Sequence, residues 1–221
     1  MHEYDADAMS RVVAVNLTVP MQLMRLAWHY MRLFRDRCAQ PHDASAADTS
    51  TMPALGTIIN VSSIGSGFNA DHAQFIPTYS STKAGLDQFS RAIAKPALVT
   101  DNVHVYTLNP GVVDTDMGRG VVHSRFPFET LEAFAGEYNV EGEAATAADI
   151  AGVVVDLAQG RTHGYRPGDA IACYARGMTV DMAALTSTVH QSSLRGGVAL
   201  DETHPRLLAE RHMHTHGKEE R

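Results

Sequence analysis

Tyr79 and Lys83 stand four positions apart in Tyr79-Ser-Ser-Thr-Lys83-Ala-Gly85. On a helix that spacing puts both side chains on one face. A free phenol has a pKa of about 10 and is a poor acid–base catalyst at neutral pH. A nearby ammonium favours the phenolate and brings the group towards its working range. The pair therefore reads as a proton-handling unit. The small residues around it, Ser80, Ser81, Ala84 and Gly85, allow a ligand to approach closely.

Ser63 is the next candidate. It follows the apolar run Gly56-Thr-Ile-Ile-Asn-Val-Ser-Ser63, whose β-branched residues predict a short buried strand over 57–61. Ligands of open parallel sheets bind beyond the carboxyl ends of the strands, so a hydroxyl here points into a cleft. A turn-capping serine is the alternative, with Ser62 competing for the role. Asn16 is the fourth candidate, because Pro20 lies four residues on and has no N–H to give its carbonyl. The alternative there is Pro20 in a first helical turn with Asn16 as its cap.

The elements that must position these groups follow from periodicity and turn chemistry. Val13, Leu17, Met21, Met24, Trp28 and Met31 recur at steps of three and four, the apolar stripe of a long helix that meets the core or another subunit. Residues 40–53 read as a polar surface loop, and 78–98 as a helix. The next strand, 103–108, is ended by Asn109-Pro110-Gly111. A looser region spans 115–143. A further helix over 146–158 has Thr146 as its cap and Asp149 three residues on, and a last strand covers 168–173. Strands separated by helices imply an α/β fold with a parallel sheet.

Together, the Tyr79–Lys83 segment, the strand ending at Ser63 and the turn Asn109-Pro110-Gly111-Val-Val113-Asp-Thr115 resemble the short-chain dehydrogenase/reductase family. The resemblance runs from about Ala8 to Gly177. It implies the C-terminal part of a doubly wound, Rossmann-like parallel sheet, with about three strands and flanking helices. Residues 1–177 would form this partial domain, with 178–221 a C-terminal extension that is partly disordered. The implied reaction is hydride transfer between NAD or NADP and a carbonyl or alcohol substrate. By resemblance, Tyr79 exchanges a proton with the substrate oxygen, Lys83 lowers the phenol pKa and holds the nicotinamide ribose, Ser63 orients the oxygen, and Asn16 supports the proton path. The turn Pro110-Gly111, with Val113 and Thr115, would hold the nicotinamide carboxamide. A homodimer or homotetramer is implied as well.

Two departures stand out. The stretch from Ser63 to Tyr79 is longer than the family's usual spacing. The Gly-rich strand–turn–helix of the type GxxxGxG, with which the family opens, has no counterpart before Asn16. The expectation is a catalytic half truncated at its N-terminus that binds cofactor poorly alone. The rival is a non-catalytic remnant acting as an interaction or dimerisation module.

Composition narrows the remaining classes. At 221 residues, 44% hydrophobic and 19% charged, the chain is long enough for a substantial core and ordinary for a globular protein. A net charge of −7 argues against nucleic-acid binding, which needs a basic stripe. Two cysteines suit a reducing, cytoplasmic setting rather than a disulfide framework. The longest apolar stretch, 12–34, is broken by Asn16, Arg25, His29 and Arg32, so no membrane span is expected. No metal is expected either: His212, His214 and His216 alternate in a polar tail that reads as solvated. Gly65-Ser-Gly67 opens no helix and makes a poor phosphate loop. There is no GxSxG elbow of an α/β hydrolase.

Overall fold

The computed structural model describes residues 5–38, 54–67, 70–175 and 178–182. The chain opens with α1 (Ala6–Val13), a π-helical turn (Ala14–Thr18) and α2 (Val19–Cys38), one continuous helical run. Strand β1 (Gly56–Val61) leads through a 3₁₀ turn (Ile64–Gly67) and the single turn α3 (Ala70–Ala73) into the long α4 (Pro77–Asp101). After β2 (Val103–Pro110) come α5 (Asp116–Arg125), α6 (Leu131–Tyr138) and α7 (Ala147–Ala158). Strands β3 (Ala170–Ala175) and β4 (Met178–Asp181) close the described chain.

The sheet order is β1-β2-β3-β4. The first three strands are parallel, with Ile58 opposite Val105 and Ala172 opposite Asn109, as strands joined through helices require. The fourth strand is a difference from the expected three. Met178–Asp181 turns back antiparallel on β3, so the sheet continues past Gly177. The boundary expected there falls inside this paired region. Its four residues are too short for a periodic signal. The polar segment 40–53 and the tail 183–221 lie outside the described residues, as do the histidines of the tail.

Strand alternation divides the core. From β2, Val103 and Val105 face α2 and α4, where they meet Met24, Leu86, Ala94 and Ala97. Tyr106 and Leu108 face α7, where they meet Val153 and Leu157. An aromatic cluster, with Phe126, Phe134 and Tyr138 at its centre, fills the region beyond the strand ends. The helices α5 and α6 that carry it occupy the stretch expected to be loose. Each starts at a threonine cap, Thr115 and Thr130, whose hydroxyl accepts from the backbone three residues on. The capping box expected at Thr146 and Asp149 opens α7.

The stripe on α2 turns inward. Met24 is 2% exposed, and Leu17, Trp28 and Met31 pack on the same core. A second apolar row at steps of three and four, Val15, Val19, Leu23, Leu26, Tyr30 and Phe34, remains exposed on the same helical run. No helix among the described residues is long and apolar enough to cross a membrane.

Candidate active site

Parallel pairing of β1 and β2 places their carboxyl ends side by side, and the expected site residues gather there. Ser63 follows β1. Its hydroxyl accepts from the Gly65 N–H at 3.1 Å and favours the ionised form of the Tyr79 phenol. Tyr79 and Lys83 share one face of α4, with the Lys83 Nζ 5.7 Å from the centroid of the Tyr79 ring. A Cβ added to Gly65 would sit 3.3 Å from Ser63 Oγ and 3.7 Å from Tyr79 Cε1, so the loop backbone passes directly over the pair. Ser62, the competing serine, is buried and donates to the Lys83 carbonyl at 3.2 Å. It therefore anchors α4, while Ser63 faces the phenol.

Asn16 lies within the helical run, inside the π-helical turn, and is not a cap. The wider turn accommodates Pro20, which is unable to complete the regular ladder. The Val19 N–H reaches back to the Ala14 carbonyl, five residues away. The Asn16 side chain donates to Thr82 Oγ1 at 3.3 Å, and Thr82 in turn donates to the Tyr79 carbonyl at 2.7 Å. Thr82 is thus the relay that ties Asn16 to the tyrosine turn. Gly85 serves this helix contact rather than ligand approach. A Cβ there would come within 3.3 Å of both methyls of Leu17.

The electrostatics differ from the expected downward pull of Lys83 on the phenol. Burial pushes the Tyr79 phenol above its ordinary value, and the Ser63 hydroxyl only partly offsets this. The reason is where the ammonium points. Lys83 Nζ donates to the Val61 carbonyl at 2.9 Å. Burial lowers the Lys83 pKa in its half-buried position, and the carboxylate of Asp87 opposes that.

The turn after β2 is held by a residue the sequence did not advertise. Asn139 is fully buried at the end of α6; its Oδ1 accepts from the Val112 N–H and its Nδ2 donates to the Val112 carbonyl, both at 2.7 Å. Gly111 is required by this clamp, since a Cβ would come within 2.3 Å of Asn139 Oδ1. Pro110 ends β2 opposite Cys173, and Val113 bridges to Ala145. The Thr115 hydroxyl caps α5 by accepting from the Gly118 N–H at 3.1 Å. Gly118 lets that helix lie against the Val113 carbonyl. An asparagine before a polar loop carries no sequence signal for such a clamp.

A nicotinamide cofactor can be tested against these groups by their donor chemistry. Lys83 carries three N–H donors, of which Val61 takes one, and Thr115 retains a hydroxyl hydrogen held only loosely by the Val113 carbonyl at 3.5 Å. Those donors, with the Tyr79 phenol, fit the hydroxyls and carboxamide of the nicotinamide end. Among the described residues, no Gly-rich turn opens a helix to take a pyrophosphate.

The sequence matches the family model for short chain dehydrogenases over residues 1–125, and the chain belongs to that family. Solved structures share its fold. A 3-hydroxyacyl-CoA dehydrogenase type-2 from Mycobacterium avium is 19% identical with a TM-score of 0.55, over 77% of this chain and 56% of its own. An actinorhodin polyketide ketoreductase variant with NADPH is 21% identical with a TM-score of 0.55, over 78% of this chain and 60% of its own. An NADPH-dependent 3-quinuclidinone reductase from Rhodotorula rubra is 20% identical with a TM-score of 0.54, over 77% of this chain and 53% of its own. The chain thus spans between 53% and 60% of the length of these three relatives.

Proposed function

We propose that this chain carries the proton-transfer half of an NAD(P)-dependent oxidoreductase acting on a small carbonyl or alcohol substrate. The observation that carries the reading is the convergence of Ser63, Tyr79 and Lys83 at the carboxyl end of β1, where the Gly65 backbone lies beside both Ser63 Oγ and the Tyr79 ring and the Lys83 ammonium sits 5.7 Å from that ring. The bound nicotinamide would supply or accept the hydride. Tyr79 holds a proton on its phenol at neutral pH and gives it to the substrate oxygen in the reductive direction. Ser63 donates to the same oxygen and steadies the charge that develops there. Lys83 and Thr115 hold the nicotinamide end, and Asn16, through Thr82, keeps the tyrosine turn in place. Small-molecule substrates and a homodimer or homotetramer fit this reading better than the interaction-module alternative, for which a converged proton-handling set has no use.

The test is hydride transfer by the purified chain, followed through the absorbance of reduced nicotinamide, with NADH and NADPH against a panel of ketones and aldehydes. The Tyr79→Phe variant is run alongside. Turnover that depends on Tyr79 is expected, with weak cofactor binding by calorimetry, because among the described residues only the nicotinamide end has matching donors. Turnover retained in Tyr79→Phe would remove the proposed acid. A Kd in the low micromolar range would overturn the half-site picture.

A further inference from the structure

Asp87 lies one helical turn beyond Lys83 on α4, is 9% exposed, and forms the centre of a buried polar network beside the proposed site. Its Oδ2 accepts from Ser66 Oγ at 2.5 Å and from Asn109 Nδ2 at 2.9 Å. Asn109 Nδ2 also reaches the Ser63 carbonyl and Ser66 Oγ, both at 3.0 Å. The carboxylate therefore joins three elements: the helix of Tyr79 and Lys83, the loop of Ser63, and the end of β2 that leads into the Pro110–Thr115 turn.

The network is unbalanced. Asp87 Oδ1 and Asn109 Oδ1 are both buried without a hydrogen-bond partner. An acceptor left in that state is destabilising, and an apolar pair in the same space would avoid the cost. Stability alone does not account for a carboxylate here.

Its electrostatic neighbours are few. On α4, Lys83 lies a turn before it and Arg91 a turn after it, and each is coupled to the carboxylate. Among the described residues, the Ser63 loop and β2 present the neutral groups Ser62, Ser66 and Asn109 to it. Burial raises the Asp87 pKa, and the polar groups of Ser62, Ser66 and Asn109, with the Arg91 charge, oppose this in favour of the charged form.

We infer that Asp87 is a positioning residue for the proposed catalytic set: its carboxylate fixes the Ser63 loop through Ser66 and Asn109 and is the counter-charge of Lys83. It touches no reacting atom in this role. It acts by placing the Ser63 hydroxyl at the phenol and by keeping Lys83 charged in a half-buried position.

The test uses the full chain labelled with carbon-13 at lysine Cε. The sequence has only Lys83, Lys95 and Lys218, so the spectrum is simple, and Lys83→Arg assigns the signal of interest. In Asp87→Asn, the Lys83 titration midpoint should move to lower pH, with the Lys95 signal as internal reference and the amide spectrum still folded. An unmoved midpoint in a folded Asp87→Asn would overturn the inference. Ser66→Ala keeps the charge and removes one tether. It should speed amide exchange at residues 63–66 without the drop in the Lys83 midpoint. A drop as large as that of Asp87→Asn would show a general loosening and would also overturn the inference. If Asp87→Asn does not fold, the unsubstituted chain decides: the Lys83 signal should show a second, smaller inflection where Asp87 titrates, and its absence refutes the pairing. The positioning role rests on the oxidoreductase reading, but the midpoint does not. A shifted midpoint in a chain without hydride transfer would count against that reading and leave the pairing standing.

Discussion

At the scale of single residues, Tyr79 and Ser63 make a directional statement about protons. The phenol is pushed up by burial and drawn down by Ser63. Removing the hydroxyl removes only the lowering contribution, so in Ser63→Ala the Tyr79 phenol should ionise at still higher pH. Tyrosine labelled at Cζ, with Tyr79→Phe for assignment, reports this midpoint without any need for turnover. A midpoint that falls or stays fixed would mean that Ser63 does not act on the phenol. In the oxidative direction, where the phenolate is the base, the rising limb of the rate profile should move to higher pH in the same variant.

At the scale of elements, the end of α4 is pinned to α2 by one carboxylate. Asp101, whose side chain is 2% exposed, accepts from Trp28 Nε1 and from Arg35 Nη1, both at 2.7 Å, with Arg32 at 3.5 Å. Burial alone would raise its pKa, but Arg35, Trp28 and Arg32 together hold it below the usual carboxylate range. Asp101→Asn should cost about 2 kcal/mol in urea unfolding at neutral pH, from charge-assisted bonds weakened in a buried place. Because the folded-state value is depressed, the contribution is present above about pH 4 and is lost as pH falls through the folded value. The difference between parent and variant should therefore shrink on acidification. A constant difference would show that the charge is not what matters.

These elements also show where the sequence is legible. The strands at 57–61 and 103–108 and the helix after Tyr79 can be read because burial imposes a period and turns punctuate it. Ser63, Tyr79 and Lys83 can be read because proton chemistry restricts the residue types. The Asn139 clamp, the Thr82 relay and Asp87 were hidden, because one hydrogen bond across dozens of residues leaves no local pattern. The inward turn of the Trp28 stripe was hidden too, since two apolar rows on one helix do not say which is covered. Helical spacing puts Lys83 on the face of Tyr79, but it leaves a four-carbon side chain free to choose its acceptor, so the Val61 carbonyl is not legible.

At the scale of the whole molecule, the exposed row of the π-helical turn and α2 asks for cover. Val15, Leu23, Tyr30 and Phe34 are each more than half exposed along one continuous face. Self-association in sedimentation at micromolar concentration is expected, and a double Leu23→Glu, Tyr30→Glu variant should shift the chain towards monomer. A folded monomer in the parent would refute it. The tyrosines set a second global property. Burial raises Tyr79, Tyr106, Tyr138, Tyr165 and Tyr174, and Cys173 is pushed up to about 12. The unfolded chain releases these protons first, its phenols near pH 10, so above that point it binds fewer protons than the folded chain and stability falls. Melting temperatures scanned from about pH 8 to about pH 11 should decline steeply across the phenol range. A flat profile would contradict the burial of these groups.

The Val61 carbonyl has one further consequence. The Ser62 N–H bonds back to the Leu108 carbonyl on β2, and strand alternation then turns the Val61 carbonyl towards the outer edge of the sheet. Lys83 is bonded to that carbonyl, beside an apolar groove of about 320 Å³ lined by Pro20, Leu23, Met24, Ile58 and Leu86. Any strand laid along that edge competes with the lysine for a single acceptor, because a ladder uses the carbonyls of alternate residues. The lysine thus occupies an acceptor at the sheet margin that a further strand would have to share or displace.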